Sequence, residues 1–444
     1  MKTKLSVEVV NPHAAGIDIG SKSHFVSIGQ QPDQVKEFGV YSAEHLKMIH
    51  WLKESGIKTI AIESTGSYWQ TLFNALQVAG FEVILINGRE IKNVKGKKTD
   101  VLDCMWIQKL HTIGLLRGNF LPDEYTRQLR TYYHHRQSLV EQSAKYTLKM
   151  QQSLRLMNIR LDVAIRDITG KTGMSIINAI LQGERDANKL AGLADIRVKK
   201  SPSEIAASLQ GEWKKDLLFT LKECHEMYRF YREKIKVADI QIEVLLNDGL
   251  TNKKPGLSFR KVKKKKAHKN DLRFDLRSIA YQIFGVDLYR INGISHGTVL
   301  CLLSTIGEGI HKFPGSKHFV SWMRLAPNNK ITGGKLISSK TPKGRNKLSL
   351  ALRQAANAIG NTKEHPLKKF FNRVAYRKGR GAAITATARK LAAIIYHMLT
   401  NKEEFNPDYL DHHQDHERQK KIISIKKMLA KVSLSEQERN YIFS

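Results

Sequence analysis

Ala14-Ala15-Gly16-Ile17-Asp18-Ile19-Gly20 is the stretch on which the front of this chain turns. Its apolar run predicts a short buried strand, and Asp18 interrupts that run with a charge that is costly to bury without a hydrogen-bond partner or a metal. Asp18 is therefore either a satisfied acid at a strand–turn junction or a residue facing a site. Ser23 to Gly29 alternates apolar and polar residues and predicts the antiparallel partner. Ala43 to Ser55 has helical apolar spacing through Leu46, Ile49, Trp51 and Leu52. Lys58 to Ile62 predicts a buried strand ending at Glu63 and a Ser64-Thr65-Gly66 turn; Tyr68 to Ala79 then predicts a helix and Phe81 to Asn87 a further strand. Strands alternating with helices make an α/β unit with a parallel or mixed sheet. Ligands of such sheets gather beyond the carboxyl ends of the strands, where Glu63 stands.

Downstream, Lys98-Thr99-Asp100-Val101-Leu102-Asp103 opens a helix, with Thr99 as its cap. Asp100 and Asp103, three apart, share a helical face. Alone they read as a solvated acidic patch. With Asp18 and Glu63 they make four carboxylates in a chain that carries 74 Lys+Arg against 41 Asp+Glu, a net charge of +33. Such a group asks for a cation, and two Mg²⁺ ions acting on a phosphodiester answer that demand. Lys97 and Lys98, closing a basic run from Asn87, suit a phosphate backbone held beside the acids. A solvated loop is the plainer alternative.

The chain's 444 residues allow several domains, and a hydrophobic content of 41% is that of a globular protein. The excess of positive charge implies a polyanionic partner. An anionic membrane is disfavoured, because no apolar run nears the ~20 residues of a spanning helix and the N-terminus lacks a signal-peptide apolar region. Nucleic acid and a cytoplasmic location follow as expectations. Cys104, Cys224 and Cys301 lie far apart without CxxC spacing and read as reduced, buried thiols, with no structural zinc expected.

Residues 125–250 read as a helical, coiled-coil-like arm for spacing and oligomerisation, or as an ordinary helical bundle. Leu139, Leu148, Leu154, Leu156 and Leu161 mark its apolar stripe. Residues 251–273 form a basic linker around Lys263, Lys264, Lys265 and Lys266, a charge run that stays extended until it meets a polyanion. Residues 274–400 read as a mostly α-helical domain. In it, Ile291 to Val299 resembles the hairpin of a helix-hairpin-helix element. Gly333, Gly334 and Lys335, with Lys340, Lys343 and Arg345, read as a phosphate cradle or as a basic loop. Residues 401–444 form a polar tail whose His412, His413 and His416 read as solvated.

Taken together, Gly16 to Gly20, Ile62 to Gly66 followed by Tyr68-Trp69, and Lys98-Thr99-Asp100 with Asp103 carry a resemblance. So do Pro327-Asn328-Asn329, Gly333-Gly334-Lys335 and Ser339-Lys340-Thr341 with Gly344. Over roughly residues 14–400 the chain resembles the DEDD-type insertion-sequence transposases, whose relatives include pilin-gene invertases and recombinases guided by a bridge RNA. The resemblance implies an RNase H-like (RuvC-like) catalytic domain over residues 1–124 and a transposase domain over 274–400. It implies that Asp18, Glu63, Asp100 and Asp103 bind two Mg²⁺ ions, with Mn²⁺ as a substitute, and that a hydroxyl of the second domain attacks DNA. The family's nucleophilic serine falls on Thr332 here, a departure whose extra methyl restricts χ1 and crowds in-line attack. Ser338 and Ser339 are the alternatives. DNA ends and target, a non-coding guide RNA and a homo-oligomer (dimer or tetramer) are the implied partners, with the active-site halves joined within one chain or between chains. A junction nuclease using water and a non-catalytic nucleic-acid-binding scaffold are the rival readings.

Overall fold

A computed structural model describes residues 8–64, 66, 68–88, 99–250, 269–344, 346–407, 422, 423 and 425. The chain divides into two compact units, Met1–Leu121 and Pro122–Ser444.

The first unit is built on a five-stranded mixed sheet: β1 (Ala14–Ile19), β2 (Ser23–Ser27), β3 (Val35–Gly39), β4 (Thr59–Glu63) and β5 (Glu82–Ile86), in the order β3-β2-β1-β4-β5. β1 runs antiparallel to β2 and parallel to β4, which is parallel to β5. The strands expected from the apolar runs are present. β3 was not signalled, because Lys36 and Glu37 break its apolar pattern; it is an edge strand, where charges are tolerated and blunt self-association.

Side chains alternate across this sheet. Ala15, Ile17, Ile60 and Ile62 face one side and pack with Met48 and Leu52 of α1 (Ser42–Glu54) and Leu72 and Leu76 of α2 (Trp69–Val78). Leu46, part of the expected apolar face of α1, is 66% exposed; His45, Met48 and Leu52 take the inner face instead. On the other side, Ala61 and Ile86 pack on Ile107 of α3 (Asp100–Thr112).

His45 stacks on His24 of β2 with ring centroids 5.5 Å apart, and both are buried. Among the described residues, neither His24 Nδ1 nor His45 Nε2 has a hydrogen-bond partner. Burial, and then the neighbouring His45, depress the His24 pKa from 6.5 to about 4; burial also lowers that of His45. In this window the unfolded chain binds a proton that the fold refuses. The stabilisation is complete above pH 6.5 and is lost as pH falls toward 4, at up to about 1.4 kcal/mol per pH unit for each proton. Thermal melts at stepped pH are expected to show the first unit weakening below pH 6.5, with a shallower dependence in His24→Phe; equal dependence in both proteins would contradict it.

In the second unit, α4 (Glu124–Leu156) and α9 (Lys215–Asp248) form a long antiparallel pair, with Tyr125 Oη donating to the Leu245 carbonyl at one end and Tyr146 stacked on Tyr231 further along. Between them the chain makes four short helices, α5 (Leu161–Ala164), α6 (Lys171–Leu181), α7 (Ala187–Ala191) and α8 (Pro202–Ser208), which close a core around Ile176, Ile177 and Ile180. The buried face of α4 runs through Leu129, Tyr133, Arg136, Ser143, Met150 and Leu154. Leu148 and Leu156, expected on the apolar stripe, are 66% and 58% exposed. Polar side chains occupy seam positions, which is why a reading of leucines alone misplaced the seam. Arg136 and Asp239 pair there, each about 95% buried by side chain, and Arg136 Nη2 also donates to the Asn270 carbonyl at 2.9 Å. A slipped register would strand either charge in the seam, so the pair favours this alignment over its neighbours.

The remainder is helical: α10 (Leu276–Phe284), α11 (His296–Ile306), α12 (Ser316–Trp322), α13 (Lys347–Asn361), α14 (Lys368–Lys378) and α15 (Arg380–Asn401). The expected hairpin between two helices joins α10 to α11; Gly293 turns it with φ 98°, and Ser295 caps α11. Arg130 of α4 donates to the Ser304 and Thr305 carbonyls at the end of α11, which ties the long pair to this helical part. The region expected as a glycine-rich loop is a two-stranded hairpin, β6 (Lys330–Thr332) and β7 (Lys335–Ser338). The three cysteines are free and buried, with burial pushing the Cys104 thiol up to about 12. Among the described residues, no helix is long and apolar enough to cross a membrane.

Candidate functional site

β1 and β4 are parallel neighbours in the register Gly16↔Ala61 and Ile17↔Ile62, so one step further sets Asp18 level with Glu63 at the carboxyl ends of both strands. Asp18 follows Gly16 by two residues and shares its face. That face is covered by α3: a Cβ on Gly16 would stand 2.3 Å from the Gln108 backbone nitrogen and 2.6 Å from the Cys104 carbonyl. Only a glycine lets the helix lie this close to the strand.

The direction of α3 follows from two contacts. Gln108 Nε2 donates to the Ala14 carbonyl at 3.2 Å, at the start of β1, and Cys104 lies over Gly16. The helix therefore runs against the strand, and its first turn, carrying Asp100 and Asp103, projects past the end where Asp18 stands. Thr99 caps that turn as expected, its hydroxyl accepting from Leu102 N at 3.3 Å. At the other end Asn11 Nδ2 donates to the His111 carbonyl at 2.7 Å, and His111 Nε2 meets Thr59 Oγ1 at 2.9 Å, fixing the helix to the sheet. Electrostatics agrees with the placement. After burial, the negative charge of Asp18 is the main cause raising the Cys104 thiol, and Asp103 adds to it.

Asp18, Glu63 and Asp103 are half-buried and Asp100 is exposed. Glu63 lies against Gly88, where a Cβ would stand 2.0 Å from its Oε1; the absent side chain is what admits the carboxylate. Among the described residues, no three His, Cys, Asp or Glu side chains are gathered at metal-holding spacing. The donor set still suits a hard cation, since Mg²⁺ commonly takes one or two carboxylates and completes its shell with water and substrate phosphate.

In the second unit, Gly333 (φ 53°) and Gly334 (φ 75°) form the tip of the β6–β7 hairpin. Positive φ at both central residues is the requirement of a type I′ turn. The glycines serve the turn, and open space surrounds them, so the expected cradle is a projecting hairpin. Thr332 pairs with Lys335 beside the turn, and both are exposed. Ser338 is half-buried and accepts weakly from Lys340 N at 3.4 Å. Ser339 and Lys340 line an open cleft on one flank of the hairpin. Lys343 is exposed, its carbonyl taken by Arg324 Nη1. Lys97, Lys98, Lys263, Lys264, Lys265, Lys266 and Arg345 lie outside the described residues, as do His412, His413 and His416.

Gly16, Gly88 and Gln108 were missed because their roles are contacts between distant segments. The alternation in Lys330-Ile331-Thr332-Gly333-Gly334-Lys335-Leu336 could have signalled the hairpin.

Residues 15–159 match the DEDD transposase model of the IS110 group, described as a transposase, and residues 287–372 match the model described as transposase, IS116/IS110/IS902 family. Together the two matches span just over half of the chain and fall on both candidate sites. No curated protein matches it.

Proposed function

The chain belongs to the IS110 family of DEDD transposases, and we propose that it excises and inserts its own mobile element as a Mg²⁺-dependent DNA recombinase. What supports this reading is that Asp18 and Glu63 stand level at the carboxyl ends of β1 and β4, while the first turn of α3, which carries Asp100 and Asp103, projects past the same end. These four carboxylates would hold the metal, which when bound would lend positive charge to the scissile phosphate; Mn²⁺ would serve in its place. Gly16 and Gln108 position the helix that brings two of the four, and Gly88 makes room for Glu63.

Thr332 of the second unit is the proposed nucleophile. Its hydroxyl oxygen forms a phosphoester bond as the bond to the leaving sugar oxygen breaks and the hydroxyl proton passes, through solvent, to that sugar oxygen, so one phosphoester replaces another and the link is conserved for rejoining. The exposed place of Thr332 beside a tight I′ turn suits a group that must be presented to a duplex. Ser339 is the second candidate, because it lines the open cleft on the flank of the hairpin. A non-coding RNA pairing with donor and target DNA, and assembly as a dimer or tetramer through the helical arm, complete the proposal by the family resemblance.

The test is to trap the covalent protein–DNA species on a nicked element-end duplex. Thr332→Ala is expected to abolish it and Thr332→Ser to retain it, while Ser339→Ala leaves it in place. Cleavage without any covalent species, unaffected by Thr332→Ala, would favour a water-using junction nuclease instead.

A further inference from the structure

An open cleft of about 1630 Å³ separates the β6–β7 hairpin from α14 and α15. Among the described residues, seven lysines and arginines line it and no aspartate or glutamate does. At the chain-wide ratio of 74 to 41, seven charged positions would carry two or three acids. The cations come from four separate segments, Lys317 of α12 among them, so no local run of charge explains their meeting. Lys340 stands on the hairpin side, Arg373 and Arg377 come one turn apart on α14, and Arg389 and Lys390 come from α15. Between them the wall of α15 is made of small residues, including Ala382, Ala386 and Ala393, which leave width for a ligand.

Part of the charge is held in place. Lys390 Nζ lies 4.3 Å from the centroid of the Phe370 ring and the Arg373 guanidinium 5.7 Å from it, so one aromatic ring braces a cation from each helix. On the hairpin side, Asn328 N donates to the Lys340 carbonyl at 3.0 Å, which fixes the segment that follows β7. Ser339 and Thr341 present hydroxyl-bearing residues beside Lys340, the residue types that contact phosphate oxygens along with lysine and arginine.

The geometry points to this cleft as a seat for the sugar–phosphate backbone of a DNA strand, delivering that strand to the hairpin that carries Thr332. The cations take the phosphates, and the small-residue wall takes the sugars. The choice of DNA over RNA rests on the recombinase reading above, since the strand led to the hairpin of the attacking hydroxyl must be the one cut.

Binding of a fluorescent 30-base-pair random-sequence DNA duplex to the full chain, followed by anisotropy over a salt series, tests it. A 30-nucleotide RNA hairpin serves as the second probe. Arg377→Gln/Arg389→Gln changes two exposed residues and so spares the fold. It is expected to lower the slope of log K against log salt by about two and to weaken DNA binding roughly 10- to 100-fold at 0.1 M salt. Lys199→Gln/Lys222→Gln, two exposed lysines of the helical arm, is expected to keep the wild-type slope. A DNA slope in the cleft variant equal to that of the control, or a loss confined to the RNA probe, would overturn the assignment. An unchanged slope together with excision lost in Asp103→Ala would discard the cleft and leave the recombinase reading standing. A reduced slope with excision surviving Asp103→Ala would keep the cleft and remove that reading.

Discussion

Asp103→Ala is expected to reduce element excision by at least ~10³-fold while leaving the protein as stable as the wild type or slightly more so. The functional loss would follow from removing one of the four carboxylates proposed to hold a catalytic cation. The stability follows from the same charges. Asp18 and Asp103 both raise the pKa of the buried Cys104 thiol, so each of these negative charges lies near that one group. A site kept at a cost to the fold loses that cost when it is disabled. The N-terminal turn of α3 does not depend on Asp103, because Thr99 caps it. Excision measured beside a thermal melt checks both halves; a variant that loses excision only because it unfolds would contradict the account.

Gly16→Ala is expected to be as damaging to activity and, unlike Asp103→Ala, to destabilise the first unit by about 1–3 kcal/mol. The added Cβ would meet backbone atoms of Gln108 and Cys104 at 2.3 and 2.6 Å, and backbone cannot rotate out of the way as a side chain can. Helix α3 must move off the sheet. Asp100 and Asp103 move with it relative to Asp18, and a displacement of ~1 Å in such a constellation costs on the order of 100-fold in rate. The prediction is read by urea unfolding of the variant together with its excision frequency. Wild-type values in both would mean that α3 does not lie on β1 as described.

These two positions also mark what a sequence can disclose. Asp18 was legible because a charge inside Gly16-Ile17-Asp18-Ile19-Gly20 conflicts with its surroundings, and Asp100 and Asp103 because helical spacing and a Thr99 cap are local. Gly16 gave no comparable signal: its need for a missing side chain is created by a helix some ninety residues later. The same holds for the arm. Its two long helices follow from composition, but the seam runs through Arg136 and Ser143, which pair or pack only once α9 is in place, while Leu148 and Leu156 point outward. The basic cleft is the extreme case. Lys340, Arg377 and Arg389 are unremarkable in three stretches of a chain rich in cations, and only the packing of α14 and α15 beside the hairpin sets them around one space. Local chemistry was readable and long-range assembly was not, because burial and charge at a site depend on contacts between segments remote in sequence.

If the proposed acids of the first unit and hydroxyl of the second serve one recombination, excision needs both. The gene is placed with its native flanking DNA in cells, and the junction of the excised circle is amplified. Wild type is expected to give the junction, and Asp100→Ala and Thr332→Ala each to lose it. A junction formed at the wild-type level by Asp100→Ala would contradict the account.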